Sequence, residues 1–110
     1  MRHSILMLVL SIFTATNAYA AIYKGHIFYV EDCQSCHPSE CEVATSRTKD
    51  AWQKMMQEKG KGLARAHLSY RKSEKSWEYF NSKKYENRSR HLKDFLVEYA
   101  KDSGKILVCE

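Results

Sequence analysis

Near the end of the chain, Leu92, Phe95, Leu96, Tyr99 and Ala100 repeat at i, i+3, i+4, i+7 and i+8. That spacing is one apolar stripe of an amphipathic helix. Ser89 precedes the stripe as an N-cap, and Gly104 follows it as a stop. Three further helices are predicted upstream. Residues 21–32 form the first, with Gly25 and Tyr29 four apart on one face. Glycine inside a helix costs about 1 kcal/mol against alanine, so Gly25 predicts a second helix crossing closely at that point. Residues 49–59 form the second, with Thr48 as cap, Asp50 in the favourable first turn and Ala51, Trp52, Met55 and Met56 as its stripe. Gly60 and Gly62 stop it. Residues 74–83 form the third, after Ser73, with Trp77 and Phe80 facing inward. There is no repeat and no strand-rich stretch. The single proline, Pro38, ends any helix that reaches it.

The N-terminus follows a different pattern. Met1-Arg2-His3 is a short basic start, Ile5 to Phe13 is mostly apolar, and Asn17-Ala18-Tyr19-Ala20-Ala21 offers an Ala-x-Ala site. This is the layout of a secretory signal peptide, residues 1–20, followed by a domain over residues 21–110. The apolar run is short for a membrane span, and no other long one follows. The mature protein is therefore expected to be exported, soluble and free of membrane spans. A core drawn from about 90 residues is marginal by itself, and a large bound group or a disulfide would add to it. Four cysteines in such a chain point to an oxidising compartment.

The densest chemistry lies in "YVEDCQSCHPSEC", Tyr29 to Cys41. Cys33-Gln34-Ser35-Cys36-His37 is a Cys-x-x-Cys-His sequence, the attachment site of a c-type haem. Two thiols three positions apart on a helical turn reach the two vinyl groups of one porphyrin, and the adjacent histidine lies beneath the iron as proximal ligand. Two other chemistries use the same residues. In a thiol–disulfide oxidoreductase, Cys33 would attack and Cys36 would resolve. That class places the motif after a strand at a helix start, whereas here it follows a helical segment. A metal-binding module would use Cys33, Cys36, His37 and Cys41, but no second ligand pair mirrors the first.

"KGHIFYVEDCQSCH", Lys24 to His37, resembles the N-terminal helix and haem motif of class I c-type cytochromes, the monohaem cytochrome c family. In that family a glycine lies eight residues before the first motif cysteine and an aromatic lies four after the glycine, as Gly25 and Tyr29 do. "HLKDFLVEYAKDSG" is similar to the C-terminal helix that crosses this face. The middle, residues 43–90, is only loosely similar. The resemblance implies a small cytochrome c-like fold of about four helices wrapped around one covalently bound haem c, held by Cys33, Cys36 and His37. It implies an electron-transfer protein, not an enzyme, working in the periplasm.

The family's usual distal ligand, a methionine before the last helix, is absent, since no methionine follows Met56. Met55 and Met56 lie on a helix stripe and read as core. His67 and His91 are the candidate distal iron ligands, His67 before the third helix and His91 in the first turn of the last. With Cys33 and Cys36 on haem, Cys41 and Cys109 remain as a disulfide, two partners for other chains, or free thiols. The implied meeting of the first and last helices favours the intramolecular bond, worth about 4 kcal/mol for a loop of about 68 residues.

Eighteen Lys and Arg against thirteen Asp and Glu give a net charge of +5. The basic residues are dispersed, and export argues against a nucleic-acid role. The moderate positive charge suits redox partners of a respiratory chain with acidic docking surfaces.

Overall fold

The computed structural model describes residues 19–107, which form helices and no strand. Residues 1–18, most of the predicted leader, and Cys109 lie outside the described residues. The elements are α1 (residues 19–32), α2 (Glu40–Ala44), α3 (Lys49–Met55), α4 (Gln57–Leu68), a 3₁₀ segment (Arg71–Ser76), α5 (Trp77–Phe80) and α6 (Lys83–Glu98). No helix among the described residues is long and apolar enough to cross a membrane.

α1 and α6 cross at Gly25. A Cβ there would stand 2.0 Å from the His91 carbonyl oxygen and 2.7 Å from the Phe95 Cβ. Missing side-chain bulk is what permits the crossing, as the sequence predicted. One turn further on, buried Tyr29 packs its ring 5.9 Å from that of Phe95. Trp52, Met56, Tyr85, Leu92 and Leu96 complete most of the core, so Met56 is a packing residue.

Thr48 caps α3, its hydroxyl accepting from the Ala51 N–H at 3.2 Å. The predicted second helix is two elements. Glu58, Lys59 and Gly60 have φ of +51°, +59° and +74°, and this left-handed turn redirects the chain into the helical residues that run to Leu68. Tyr85 donates its hydroxyl to the Gly60 carbonyl at 2.6 Å, deep in the core.

α6 begins earlier than predicted. Ser82, not Ser89, is its N-cap, accepting from the Tyr85 N–H at 3.2 Å. Its buried stripe starts at Tyr85 and Ser89, polar-tipped residues inside a charged run, which is why periodicity alone placed the start late. The predicted helix at 74–83 is the 3₁₀ segment followed by the four-residue α5. Arg71–Ser76 has no apolar side chain to bury, and its serines bond nearby carbonyls instead.

Candidate functional site

The Cys-x-x-Cys-His residues form the turn that closes α1. The Cys33 and Gln34 N–H groups donate to the Tyr29 carbonyl at 2.8 and 3.1 Å, and the His37 N–H donates to the Cys33 carbonyl at 2.8 Å. The helical ladder thus carries through to the histidine, and Pro38 follows. Tyr29 donates its hydroxyl to the His37 carbonyl at 2.5 Å, so the buried face of α1 also anchors the end of the motif. Burial pushes the Tyr29 phenol up to about 12.

Cys33 and Cys36 are both free thiols, Cys33 packed against the core and Cys36 exposed. Burial, then the neighbouring Asp32 and Cys36 charges, push the Cys33 thiol up to about 12. Cys41 is disulfide-bonded. Its Sγ lies 3.2 Å from the Leu107 carbonyl oxygen, which brings the C-terminal tail against α2.

His67 lies in the last turn of α4, and its ring lies beside that of His37. The ring centroids are 6.1 Å apart with planes at 87°. His67 Nδ1 is 2.8 Å from the Leu63 carbonyl. A carbonyl can only accept, so Nδ1 carries the proton and Nε2 of the neutral ring keeps its lone pair. The bond to the Leu63 carbonyl fixes the orientation of the ring. A metal-bound imidazole nitrogen sits about 2 Å from the metal, which puts each ring centroid about 3 Å away and two opposed rings about 6 Å apart. The centroid separation of the two rings is close to that value.

His91 sits elsewhere. It is at the α1–α6 crossing, its ring 5.8 Å from Phe28 and its buried Nδ1 without a hydrogen-bond partner. Burial, then Arg90 and Lys24, lower its pKa. His26 pairs with Glu40 at 2.6 Å.

No family model matches the chain, and neither the curated proteins nor the solved structures contain a match.

Around the site stand Phe80, expected inward, and Tyr79, Tyr85 and Asp32, which sequence patterning did not single out. Tyr79, Phe80 and Tyr85 contact one another at centroid distances of 4.8–5.4 Å. Phe80 also stacks on His67 at 4.2 Å and 24°. Burial raises the Tyr79 and Tyr85 phenols, and both sense the charge of Cys33, so this aromatic wall borders the first motif thiol. The Asp32 side chain, one residue before Cys33, is 4 % exposed. It accepts from the Tyr79 hydroxyl at 2.7 Å and from Arg88 Nη1 at 3.0 and 3.1 Å. Trp77 was expected inward; its indole N–H donates to the His67 carbonyl at 2.8 Å. An open groove of about 400 Å³ runs along α4 beside Phe80, with Lys61 and Arg65 on its walls.

Two free thiols at i and i+3, a histidine at i+4 and a second histidine ring 6.1 Å away form a donor set that fits a covalently attached haem.

Proposed function

We propose that the chain is a periplasmic monohaem c-type cytochrome that passes electrons between redox proteins. The observation that carries this reading is the neighbouring pair His37 and His67, ring centroids 6.1 Å apart, with the free thiols of Cys33 and Cys36 in the same motif as His37. Cys33 and Cys36 would hold the porphyrin through thioethers, with His37 as proximal and His67 as distal ligand. When bound, haem supplies a one-electron iron couple whose potential follows the axial ligands, burial and nearby charge. The chain's own part is to fix two imidazoles, to exclude water with Tyr79, Phe80 and Tyr85, and to keep both ligand-bearing turns still. That role needs no acid–base group acting on a substrate.

The other two readings have weaker support. An attacking thiolate needs a depressed pKa, whereas burial pushes the Cys33 thiol the opposite way, to about 12. A zinc or copper module would need Cys41 as a thiolate, and Cys41 is disulfide-bonded. Among the described residues no three His, Cys, Asp or Glu side chains converge as a metal site. The bonded Cys41 also favours an oxidising compartment, in keeping with the secretory layout of residues 1–20.

The deciding experiment is the absorption spectrum, in pyridine and alkali, of the full chain exported from a host that attaches haem. A reduced α-band of haem held by two thioethers is expected. His67→Ala should turn a low-spin spectrum high-spin, and His91→Ala should not. A colourless protein from such a host overturns the reading.

A further inference from the structure

Building on that reading, we infer that α5 is a clamp that keeps His67 in place as sixth ligand, with Trp77 and Phe80 as its positioning residues. Three of the four residues of α5 contact the site. Trp77 donates its indole N–H to the His67 carbonyl at 2.8 Å. Phe80 stacks on the His67 imidazole at 4.2 Å. Tyr79 between them donates to Asp32 at 2.7 Å, the residue that precedes Cys33. One short element thus joins the turn bearing the thiols to both the backbone and the ring of His67.

Four residues are far too few to form a helix unaided, so α5 owes its order to these contacts. A plain alternative is that Trp77 only satisfies a carbonyl left free at the end of α4. The Ser73 hydroxyl does share its one proton between the His67 and Tyr70 carbonyls, at 2.5 and 2.7 Å. Helix capping explains those backbone bonds but not Phe80, which acts on the imidazole itself. With Nδ1 fixed to Leu63, backbone fixed by Trp77 and ring face covered by Phe80, His67 leaves a bound iron only if α5 opens. Outside ligands therefore reach the sixth position only slowly, which suits electron transfer.

The test uses the exported, haem-loaded full chain and carbon monoxide as probe, with haem content measured separately by the pyridine spectrum. In the reduced wild type, carbon monoxide binding is slow. Trp77→Phe removes one hydrogen bond and should speed binding about fivefold. Phe80→Leu should speed it at least as much, Phe80→Tyr should restore the wild-type rate, and His67→Ala sets the fully open limit. If Trp77→Phe and Phe80→Leu bind at the wild-type rate while His67→Ala binds fast, the clamp is overturned and the haem reading stands. If His67→Ala itself binds no faster, His67 is not the ligand and the clamp falls with it. A wild type without haem overturns the proposed function, and the pyridine spectrum identifies that outcome independently of carbon monoxide. Near-isosteric Trp77→Phe and the Phe80→Leu/Tyr pair keep the question answerable should one variant fold poorly.

Discussion

The His91 carbonyl oxygen occupies the space where a side chain at Gly25 would begin, 2.0 Å from the Cβ position. Backbone cannot yield as a flexible side chain can, so Gly25→Ala must push α1 away from α6. Alanine's helix preference of about 1 kcal/mol opposes this only in part, and overpacking of this kind costs about 1–3 kcal/mol or more. We expect Gly25→Ala to lower stability by about 2 kcal/mol net in urea unfolding. An unchanged or higher midpoint would mean that the helices do not meet there.

Asp32 and Arg88 form the most protected ion pair near the site, with side chains 4 % and 22 % exposed. The guanidinium also lies over the Phe28 ring at 4.2 Å. Asp32→Ala leaves Arg88 and the Tyr79 hydroxyl without their acceptor, and breaking such a pair costs about 3 kcal/mol. Arg88→Lys keeps the charge but loses the planar group over Phe28, for a smaller loss of about 1 kcal/mol. Denaturant unfolding of both variants and their double mutant measures the coupling; additive losses would refute it.

Much of this frame was legible in sequence because it rests on local signals. Gly25 and Tyr29 announced the crossing, Thr48 its cap, and the 92–100 stripe the last helix. Sequence named both His67 and His91 as candidates opposite His37, and which of them comes to lie beside it was not legible. It depends on the left-handed turn at Glu58, Lys59 and Gly60, and nothing about glutamate or lysine marks a positive φ. Asp32, Tyr79 and Arg88 were hidden for another reason. Each is polar and reads as surface until the tertiary fold brings the three together.

In the folded chain without haem, the buried Cys33 thiol should resist alkylation while the exposed Cys36 is accessible. With Cys33 pushed up to about 12, only about one molecule in ten thousand carries its thiolate at pH 8. That fraction rises about tenfold per pH unit, so reactivity is gained as pH increases. Iodoacetamide at pH 8 should label exposed Cys36 first and Cys33 mainly above pH 10 or after denaturation. Peptide mass spectrometry reads the order, and equal labelling at pH 8 in a chain still helical by circular dichroism contradicts it.

The proposed haem, with His67 as its sixth ligand, predicts a direction for the midpoint potential. Methionine raises the potential of a His-ligated haem relative to a second histidine. His67→Met should therefore raise it by on the order of 100 mV, within the range that axial ligands command. Spectroelectrochemical titration gives the value, and a fall or no change counts against His67 as ligand.

The turn that aims α4 at the site is built against the preference of its own residues. Glu58 and Lys59 hold φ of +51° and +59°, a backbone state that costs a side-chain-bearing residue roughly 1–2 kcal/mol. The bend therefore stores strain in the chain leading to His67, and its direction survives because Tyr85 grips Gly60 from the core. Latent stability lies here: glycine at position 58 or 59 would relax the turn without re-aiming the histidine it serves.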